Sequence, residues 1–586
     1  MKLLFQLSFI GLALIFSSAR GYSQINLRYL ENETLEYNEV ITAYQYLADK
    51  YEKASLFEIG KTDIGKPLHL FIMTQNRDFE SVLNGKTDKC IVFINNGIHP
   101  GEPPGIDASI QFSMDILSGH NKMDNLLDNT VLCIIPVYSV GGALNRSPYH
   151  RSNQETPPES GFRGNGKNLD LNRDFVKMDS KNARSLIRTF QKINPHIFLD
   201  THTTNGSDHQ YAITLIPTIY QKLPVSMSGY FDDIMLPALY GRMKETGYEM
   251  TPYVNWVHRD PSQGIASYFD APRVSTGFAS LFNCYAFMTE NHVYKEFKYL
   301  VQSVYNFMFA LTEYANDHHE EIISTRKKAN EFTSGMSHFT SKWESDTTKY
   351  ETIIFKGYEA GKKESPISGL QVFSYDRDKP YEKEIPFYKY FISGEEISKP
   401  YAYVIPQAWE KAIHSLEING VEMSQISKDT IIEVEAYYIT GLSFSKQPSN
   451  GHFRNRDIQV RKETQSIHFY KGDYAIVMNQ RRNRFIMEMI EPTTIDSYLS
   501  WNFFDPVFDR REYFSSLGFE KNALKYLDEN PTFKHEFEKR KSEDNAFAED
   551  HYAQMRFIYS NSPYMEKSYR RYPVYRIEKF VDLPVD

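Results

Sequence analysis

The apolar positions in the first half of the chain alternate between short continuous runs and longer stretches with helical periodicity. Three runs are rich in β-branched residues and predict strands that are buried on both faces of a sheet: 90–96, 130–137 and 196–202. The stretches with helical periodicity are 104–118, 180–193, 230–246 and 296 to about 328. This alternation predicts an α/β fold, with an open mixed sheet that carries helices on both faces.

The pattern changes near residue 331 to short alternating segments that are rich in Tyr and Ile. Four of them predict antiparallel strands: TIIFKGY, TIIEVEAYYIT, SIHFYKGDYAIVM and RFIMEMI. One helix is expected near 409–418, and the charged residues after SYLSWNFFD predict terminal helices. A smaller β-rich accessory domain with terminal helices is therefore expected at 331–586, after an α/β domain at 24–330. A chain of 586 residues is too long for one simple core.

The N-terminal residues 1–23 predict a secretory signal peptide. Met1 and Lys2 precede the apolar run LLFQLSFIGLALIFSSA, and small and polar residues continue through Ser23. The run is shorter than the roughly 20 apolar residues that a membrane helix needs. We therefore expect an exported protein, periplasmic or secreted, without a membrane anchor.

Composition and charge exclude one class of partner. Lys and Arg number 66 against 75 for Asp and Glu, and the formal net charge of −9 argues against nucleic-acid binding. Three cysteines are too few for a disulfide framework. Cys90, Cys133 and Cys284 all lie in apolar stretches, which predicts buried free thiols. The sequence leaves the oligomeric state unknown.

Polar residues at the ends of the predicted strands are the first candidates for chemistry, because ligands of open α/β sheets bind beyond the carboxyl ends of strands. The turn FINNGIHPGEPPG carries His99 and Glu102, and IFLDTHTTNG carries His202. Each signal is weak alone, since a single histidine is usually structural. Together they form a His₂Glu set, which suits a zinc ion with an open fourth position.

Two further elements carry charged groups. The glycine-rich loop FRGNGKNLDLNRDF contains Arg163, Asp170, Asn172 and Arg173. An arginine fork beside an amide can receive a carboxylate through bidentate hydrogen bonds, although a solvated turn would look similar. Glu290 follows the apolar run of YAFMTENH, where a carboxylate could act as a general base.

The ordered set H-P-G-E, N-L-D-L-N-R, D-T-H and a strand-end T-E resembles the M14 family of zinc carboxypeptidases. The match covers roughly residues 35–320. The resemblance implies an enzyme that hydrolyses the C-terminal peptide bond of peptides. It also implies one Zn²⁺ per chain, with His99, Glu102 and His202 as the metal ligands.

The resemblance also implies roles around the reacting bond. Asp170 would accept a hydrogen bond from the His99 ring and fix its tautomer. Glu290 would take a proton from the attacking water and pass it to the leaving amine. Arg163 would stabilise the oxyanion, with Arg151 as the alternative arginine.

The residues expected to recognise the substrate lie in two further segments. Asn172 and Arg173 would hold the free α-carboxylate of the substrate. Tyr268 would cover the bound terminal residue, with Tyr253 as the alternative. Arg273 could favour an acidic terminal side chain or form a structural ion pair.

Other functions compete with this interpretation. The same fold could hydrolyse cell-wall (peptidoglycan) peptides, or serve as a catalytically inactive peptide-binding module. The presence of every required group, Glu290 above all, argues against the inactive module. Serine hydrolysis gains no support, because G-x-S-x-G does not occur in the α/β half. His292, two residues after Glu290, could tune that carboxylate, but a structural role is more common.

Overall fold

The computed structural model describes residues 25–204 and 206–586. The signal peptide predicted at 1–23 lies outside the described residues. Within the described part of the chain, no helix combines the length and the apolar character that crossing a membrane requires.

The described strands are numbered β1 to β22 in chain order. They are β1 Ala54–Lys61, β2 Pro67–Met73, β3 Cys90–Asn95, β4 Thr130–Ile135, β5 Arg146–Ser147, β6 Ser160–Gly161, β7 Ile197–Thr204, β8 Ile213–Pro217, β9 Met250–Pro252, β10 Asn255–Trp256, β11 Ile265–Ala266, β12 Tyr285–His292, β13 His338–Ser345, β14 Glu351–Glu364, β15 Gln371–Tyr388, β16 Phe391–Ser398, β17 Ala402–Ile405, β18 Ser424–Gln425, β19 Thr430–Phe444, β20 Asn455–Phe469, β21 Tyr474–Val477 and β22 Tyr575–Ile577.

The described α-helices are numbered in the same way. They are α1 Tyr37–Lys50, α2 Phe79–Leu83, α3 Pro104–Ser118, α4 Val140–Leu144, α5 Lys181–Ile193, α6 Val225–Gly229, α7 Leu236–Glu245, α8 Ser275–Ser280, α9 Phe297–Asp317, α10 His319–Gly335, α11 Glu410–Ile418, α12 Asn483–Ile490, α13 Ser516–Glu529, α14 Pro531–Glu543, α15 Asn545–Ala548 and α16 His551–Ser560.

An eight-stranded mixed sheet forms the centre of the first half, in the order β1-β2-β4-β3-β7-β12-β8-β9. The inner strands β4, β3, β7 and β12 run parallel to one another, whereas the pairs β1–β2, β2–β4 and β12–β8 are antiparallel. All residues of β3 and β4 are buried, as the continuous apolar runs predict. The predicted α/β fold with an open mixed sheet is confirmed.

Alternate residues of β3 point to two different cores. Val92 and Ile94 pack with residues of α1, α3, α7 and α9 on one face. Ile91 and Phe93 pack on the other face with residues of α5 and α8. Helices therefore cover both faces, and this second core also includes Trp501 from the far end of the chain.

A β-rich region follows the α/β region, as predicted. It contains a six-stranded sheet in the order β18-β21-β17-β22-β19-β20 and the long hairpin of β14 and β15. Helices α13 to α16 form a separate small core. The division at residues 330 and 331 stays a prediction; α10 runs to Gly335, and β13 begins at His338.

Two segments differ from their predicted structure. RFIMEMI is predicted as a strand but forms α12, in which all eight residues of Asn483–Ile490 are buried. A short, mostly apolar run of this kind cannot be assigned to a strand or a buried helix by periodicity alone. The single helix expected from 296 to about 328 is two helices, α9 and α10, interrupted at His318. The three cysteines are free and buried, as predicted.

Candidate metal and catalytic site

The candidate ligands come from the ends of neighbouring parallel strands. β3 ends at Asn95, and the turn before α3 carries His99 and Glu102. His202 lies on β7, which pairs with β3. The turn needs glycine at position 101, because a Cβ there would lie 2.8 Å from the Arg151 side chain. The fold thus brings together residues that are far apart in sequence.

The three ligand candidates converge on one point. Nδ1 of His99 lies 3.2 Å and Nδ1 of His202 lies 3.1 Å from Oε2 of Glu102. One ligand atom from each of the three residues lies within 4.8 Å of the others. All three side chains are at most 3% exposed, so they are removed from bulk water.

The other ring nitrogen of each histidine faces a carboxylate. Nε2 of His99 lies 2.9 Å from Asp170, and Nε2 of His202 lies 2.9 Å from Asp200. A histidine that donates Nε2–H to a carboxylate has an unprotonated Nδ1, which is the form that binds a metal. The donor set therefore fits a zinc ion, with both Nδ1 atoms and the carboxylate of Glu102 as ligands.

Asp200 is a site residue that the sequence reasoning missed. It lies two positions before His202 on β7 and is fully buried. An acidic residue inside the apolar run IFLDTH is the signal that could have identified it, because a buried carboxylate needs a partner.

Glu102 is surrounded by donors. Its Oε2 also accepts a hydrogen bond from the backbone N–H of Thr203, at 3.0 Å. Burial by itself raises the pKa of Glu102, but the adjacent His99 and Arg151 hold this pKa well below its usual range. The side chain is therefore a carboxylate, as a metal ligand must be.

Two arginines reach the same oxygen of Glu102. Nη1 of Arg151 lies 3.1 Å and Nη1 of Arg163 lies 3.3 Å from Oε1. Arg163 also donates from Nε and Nη2 to Oδ2 of Asp170, at 3.2 and 2.9 Å. Arg151 donates instead to the Thr203 carbonyl, at 3.4 Å. Both arginines line the site, so the choice between them for the oxyanion stays open.

Glu290 lies on β12 opposite His202 of β7. The pKa of its carboxyl is raised to about 7, mainly by burial; the charge of His202 opposes this rise and the charge of Glu102 adds to it. A carboxyl group with a pKa near neutrality can both accept and release a proton at physiological pH.

These groups line one cavity of about 360 Å³. Its walls are formed by His99, Glu102, Arg151, Arg163, Asn172, Arg173, His202, Thr203, Thr204, Ile216, Tyr253, Tyr268, Met288 and Glu290. Every residue considered above as a metal ligand, general base, oxyanion donor, carboxylate-binding group or covering phenol therefore lines this cavity. Asp170 and Asp200 support the histidines from behind, and Arg273 is not part of the cavity wall.

Asn172 is held by its own contacts. Its Oδ1 accepts a hydrogen bond from the backbone N–H of Ser275 at 2.9 Å, and its Nδ2 lies 3.4 Å from Nε2 of His202. Arg173 donates from Nη1 to the Asn172 carbonyl, at 2.7 Å. The amide N–H₂ and the guanidinium thus form the side of the cavity that can receive an anion.

Tyr268 and Tyr253 lie together at the cavity, with ring centroids 6.2 Å apart and the rings edge to face. Both remain candidates for the covering phenol. Burial raises the pKa of Tyr253 to about 12, so it is a neutral hydrogen-bond donor. Of the two alternatives for Arg273, the structure contains the ion pair: Nη1 lies 2.7 Å from Oδ1 of Asp496.

A sequence model described as zinc carboxypeptidase, family M14, matches residues 40–317, about half of the chain. This region of the chain belongs to the zinc carboxypeptidase family. It is therefore a metallocarboxypeptidase, and the His99, Glu102 and His202 cluster is its candidate metal site.

Relatives of this zinc carboxypeptidase include "Carboxypeptidase 2" of Trichophyton rubrum, which is 21% identical over 440 residues, 72% of this chain and 75% of the relative. "Carboxypeptidase 2" of Trichophyton equinum is 20% identical over 467 residues, 77% of this chain and 80% of the relative. These alignments are longer than the family match and so include residues outside 40–317.

Solved structures with a similar region include a metallo-carboxypeptidase from Burkholderia cenocepacia, with 15% identity and a TM-score of 0.37, covering 50% of this chain and 71% of that one. Another is a metallo-carboxypeptidase from Pseudomonas aeruginosa in complex with (2-guanidinoethylmercapto)succinic acid, with 14% identity and a TM-score of 0.36, covering 50% and 71%.

Proposed function

We propose that the protein hydrolyses the C-terminal peptide bond of peptides, with one zinc ion held by His99, Glu102 and His202. The observation that carries this proposal is the convergence of the two Nδ1 atoms and Glu102 in a cavity that also contains Glu290 and an anion-binding side. When bound, zinc would supply Lewis acidity that polarises the scissile carbonyl and lowers the pKa of water to roughly 7.

Glu290 is the proposed general base. Its partly buried carboxylate would take a proton from the attacking water and pass it to the leaving amine. A pKa near neutrality suits both transfers, because such a group accepts a proton more readily than an ordinary carboxylate and still releases it at physiological pH. A positioned base of this kind typically contributes about 10²–10⁴ to the rate.

Recognition of the free C-terminus is assigned to Asn172 and Arg173. The side-chain amide of Asn172 is oriented by Ser275, which leaves its N–H₂ directed to the cavity side near His202. With the Arg173 guanidinium it would hold the substrate α-carboxylate through charge-assisted hydrogen bonds. Tyr268 would then cover the bound residue, and Arg163 would donate to the oxyanion.

The substrate is proposed to be a peptide outside the cytoplasm. Residues 1–23 carry the pattern of a signal peptide, which supports export to the periplasm or beyond. Peptides released from proteins and peptides of the cell wall both offer a free carboxylate that Asn172 and Arg173 could bind.

The test combines metal content with cleavage of matched peptides. We expect close to one Zn²⁺ per chain and stepwise loss of C-terminal residues from a peptide library. The same peptides with amidated C-termini should lose most of the turnover, because they lack the carboxylate. A chelator should remove activity, and added Zn²⁺ should restore it.

Other outcomes would change the conclusion. Equal cleavage of free and amidated peptides would contradict the exopeptidase proposal. Zinc binding with cleavage only in a cell-wall digest would move the substrate to peptidoglycan peptides. Absence of both zinc and cleavage would leave a peptide-binding module.

A further inference from the structure

A loop from the second half of the chain reaches the metal site. The hairpin of β19 and β20 is connected by residues 445–454. Within this connecting loop, Oδ1 of Asn450 accepts a hydrogen bond from the backbone N–H of Asp170, at 2.9 Å. The two residues are 280 positions apart in sequence, so only the tertiary structure brings them together.

Asp170 links this contact to a metal-ligand candidate. Its Oδ1 lies 2.9 Å from Nε2 of His99 and also accepts the backbone N–H of Asn172, at 2.9 Å. Its Oδ2 accepts from Arg163. Asn450 therefore holds the backbone of the residue whose carboxylate orients the His99 ring.

The connecting loop is shaped to present Asn450. Backbone hydrogen bonds in both directions between Ser449 and His452 close a tight turn, with N···O distances of 2.8 and 3.1 Å. Asn450 has φ 49° and Gly451 has φ 81°, in the left-handed region that asparagine and glycine tolerate best. The turn thus fixes the backbone of Asn450, which carries the accepting side-chain oxygen.

Neighbouring contacts hold the same loop against the first half. Nε2 of His452 lies 2.7 Å from Oδ2 of Asp179, and this carboxylate also pairs with the buried Lys177 at 2.8 Å. The His452 ring packs edge to face on Trp501, with centroids 5.5 Å apart. The loop is therefore also anchored to the first half two residues beyond its contact with Asp170.

A second contact from the second half of the chain supports the segment that holds Asn172, one of the two proposed carboxylate-binding residues. Asp496 accepts hydrogen bonds from the backbone N–H and from Nη1 of Arg273, at 2.9 and 2.7 Å. Two residues later, Ser275 donates its N–H to Asn172. The second half thus supports two segments that carry the proposed machinery.

We propose that the loop 445–454 is a positioning element of the metal site, and that Asn450 is its positioning residue. This inference rests on the proposed function only in taking the site to bind zinc. The hydrogen bond from Asp170 to Asn450 fixes the backbone at Asp170. Its carboxylate then stays in place to accept Nε2–H of His99, which keeps the metal-binding Nδ1 unprotonated.

The experiment measures zinc affinity of the full-length apo-protein by competition with a chromophoric chelator. Asn450→Gly removes the acceptor and still permits the left-handed φ, whereas Asn450→Asp keeps both an oxygen acceptor and the backbone preference. Asn121→Gly is the matched control, because Asn121 is exposed and also has φ 49°. It lies between α3 and the start of β4, whereas the metal site lies beyond the carboxyl ends of the parallel strands.

We expect Asn450→Gly to raise the zinc Kd about 10-fold, at the low end of the effect of losing an outer partner of a metal ligand. Asn450→Asp should remain close to the unaltered protein, and Asn121→Gly should match it. At saturating zinc, kcat of Asn450→Gly should recover. Asn450→Ala, which also lacks the acceptor, is measured beside the glycine variant as a second acceptor-free protein.

Two results would overturn the inference. One is an unchanged zinc Kd in both acceptor-free variants. The other is equal weakening in Asn450→Asp and Asn450→Gly, which would make the acceptor irrelevant. Because zinc affinity is measured without substrate, absence of peptidase activity would reject the proposed function and leave this test intact.

Discussion

Glu290 is partly buried on β12 and lines the same cavity as the candidate metal ligands, but it is not one of the three groups whose ligand atoms converge. The two histidines each use Nε2 on a carboxylate and direct Nδ1 to Glu102. At the residue scale, the structure thus separates side chains that can hold a metal from one that can move a proton.

Glu290→Gln should lower kcat by about 10²–10⁴ and leave the zinc content unchanged, because an amide cannot accept the proton and Glu290 is not a proposed ligand. Peptide turnover and metal analysis of the same sample check this. Glu296→Gln, at an exposed glutamate just before α9, is the control. Loss of zinc from Glu290→Gln would mean that this carboxylate supports the metal instead.

The two arginines near Glu102 can be separated by kinetics. Removing an oxyanion donor typically lowers kcat by about 10²–10³ with little change in KM. We expect this loss in Arg163→Ala, with a weaker zinc affinity as well, because Arg163 also holds Asp170. Comparison of kcat and zinc Kd with Arg151→Ala checks the assignment. A larger kcat loss in Arg151→Ala would transfer the oxyanion role to Arg151.

At the scale of elements, α12 illustrates why local pattern is insufficient. All its residues are buried, including Glu488, which is 5% exposed. Oε1 of Glu488 has no hydrogen-bond partner among the residues that the structure describes. The pKa of this carboxyl is raised from 4.5 to about 8, mainly by burial and next by the nearby charge of Asp496.

The raised pKa of Glu488 makes stability depend on pH. Between about pH 4.5 and 8 the folded protein holds this proton and the unfolded chain has released it, so the free energy of unfolding falls as pH rises. Glu488→Gln stays neutral and should gain in stability relative to the parent protein across that range. The difference should reach a few kcal/mol, at about 1.4 kcal/mol per pKa unit.

Thermal unfolding of both proteins at a series of pH values from 5 to about 9 measures this difference. The Tm of the variant minus that of the parent should increase with pH. Parallel Tm curves would show that Glu488 titrates alike in the folded and unfolded chain.

At the scale of the whole molecule, the two halves share one core. The cluster on the α5 and α8 face of the central sheet continues into residues of α11, α12 and the segment around Trp501. The Phe485 ring of α12 lies 5.2 Å from Phe282, between centroids. This arrangement agrees with the contacts of Asn450 and Asp496, which also join the halves.

A shared core predicts that the halves unfold together. Calorimetry should show one main transition that zinc shifts upward, since a ligand of the folded state stabilises it. Phe485→Ala should lower that whole transition, at a cost of about 3–5 kcal/mol for a buried aromatic ring. Phe537→Ala, a comparably buried ring in the separate core of the terminal helices, should leave zinc affinity unchanged. Two resolved transitions, of which only one responds to zinc, would contradict a shared core.

The sequence by itself determined the α/β fold of the first half, because short β-branched apolar runs that alternate with helical stretches favour strands buried on both faces of a sheet. It also supplied His99, Glu102 and His202, since ligands at strand ends follow from the topology of such sheets. The roles of Asp170 and Asn172, by contrast, were implied by the resemblance to zinc carboxypeptidases.

The tertiary structure alone decided how these residues are held. Arg151 beside Glu102 and Asn450 behind Asp170 are contacts between segments that the sequence keeps apart. The helical state of α12 was likewise fixed by burial on every side, which overrides local periodicity. Long-range packing and hydrogen bonds depend on the positions of distant segments, and no local pattern encodes those positions.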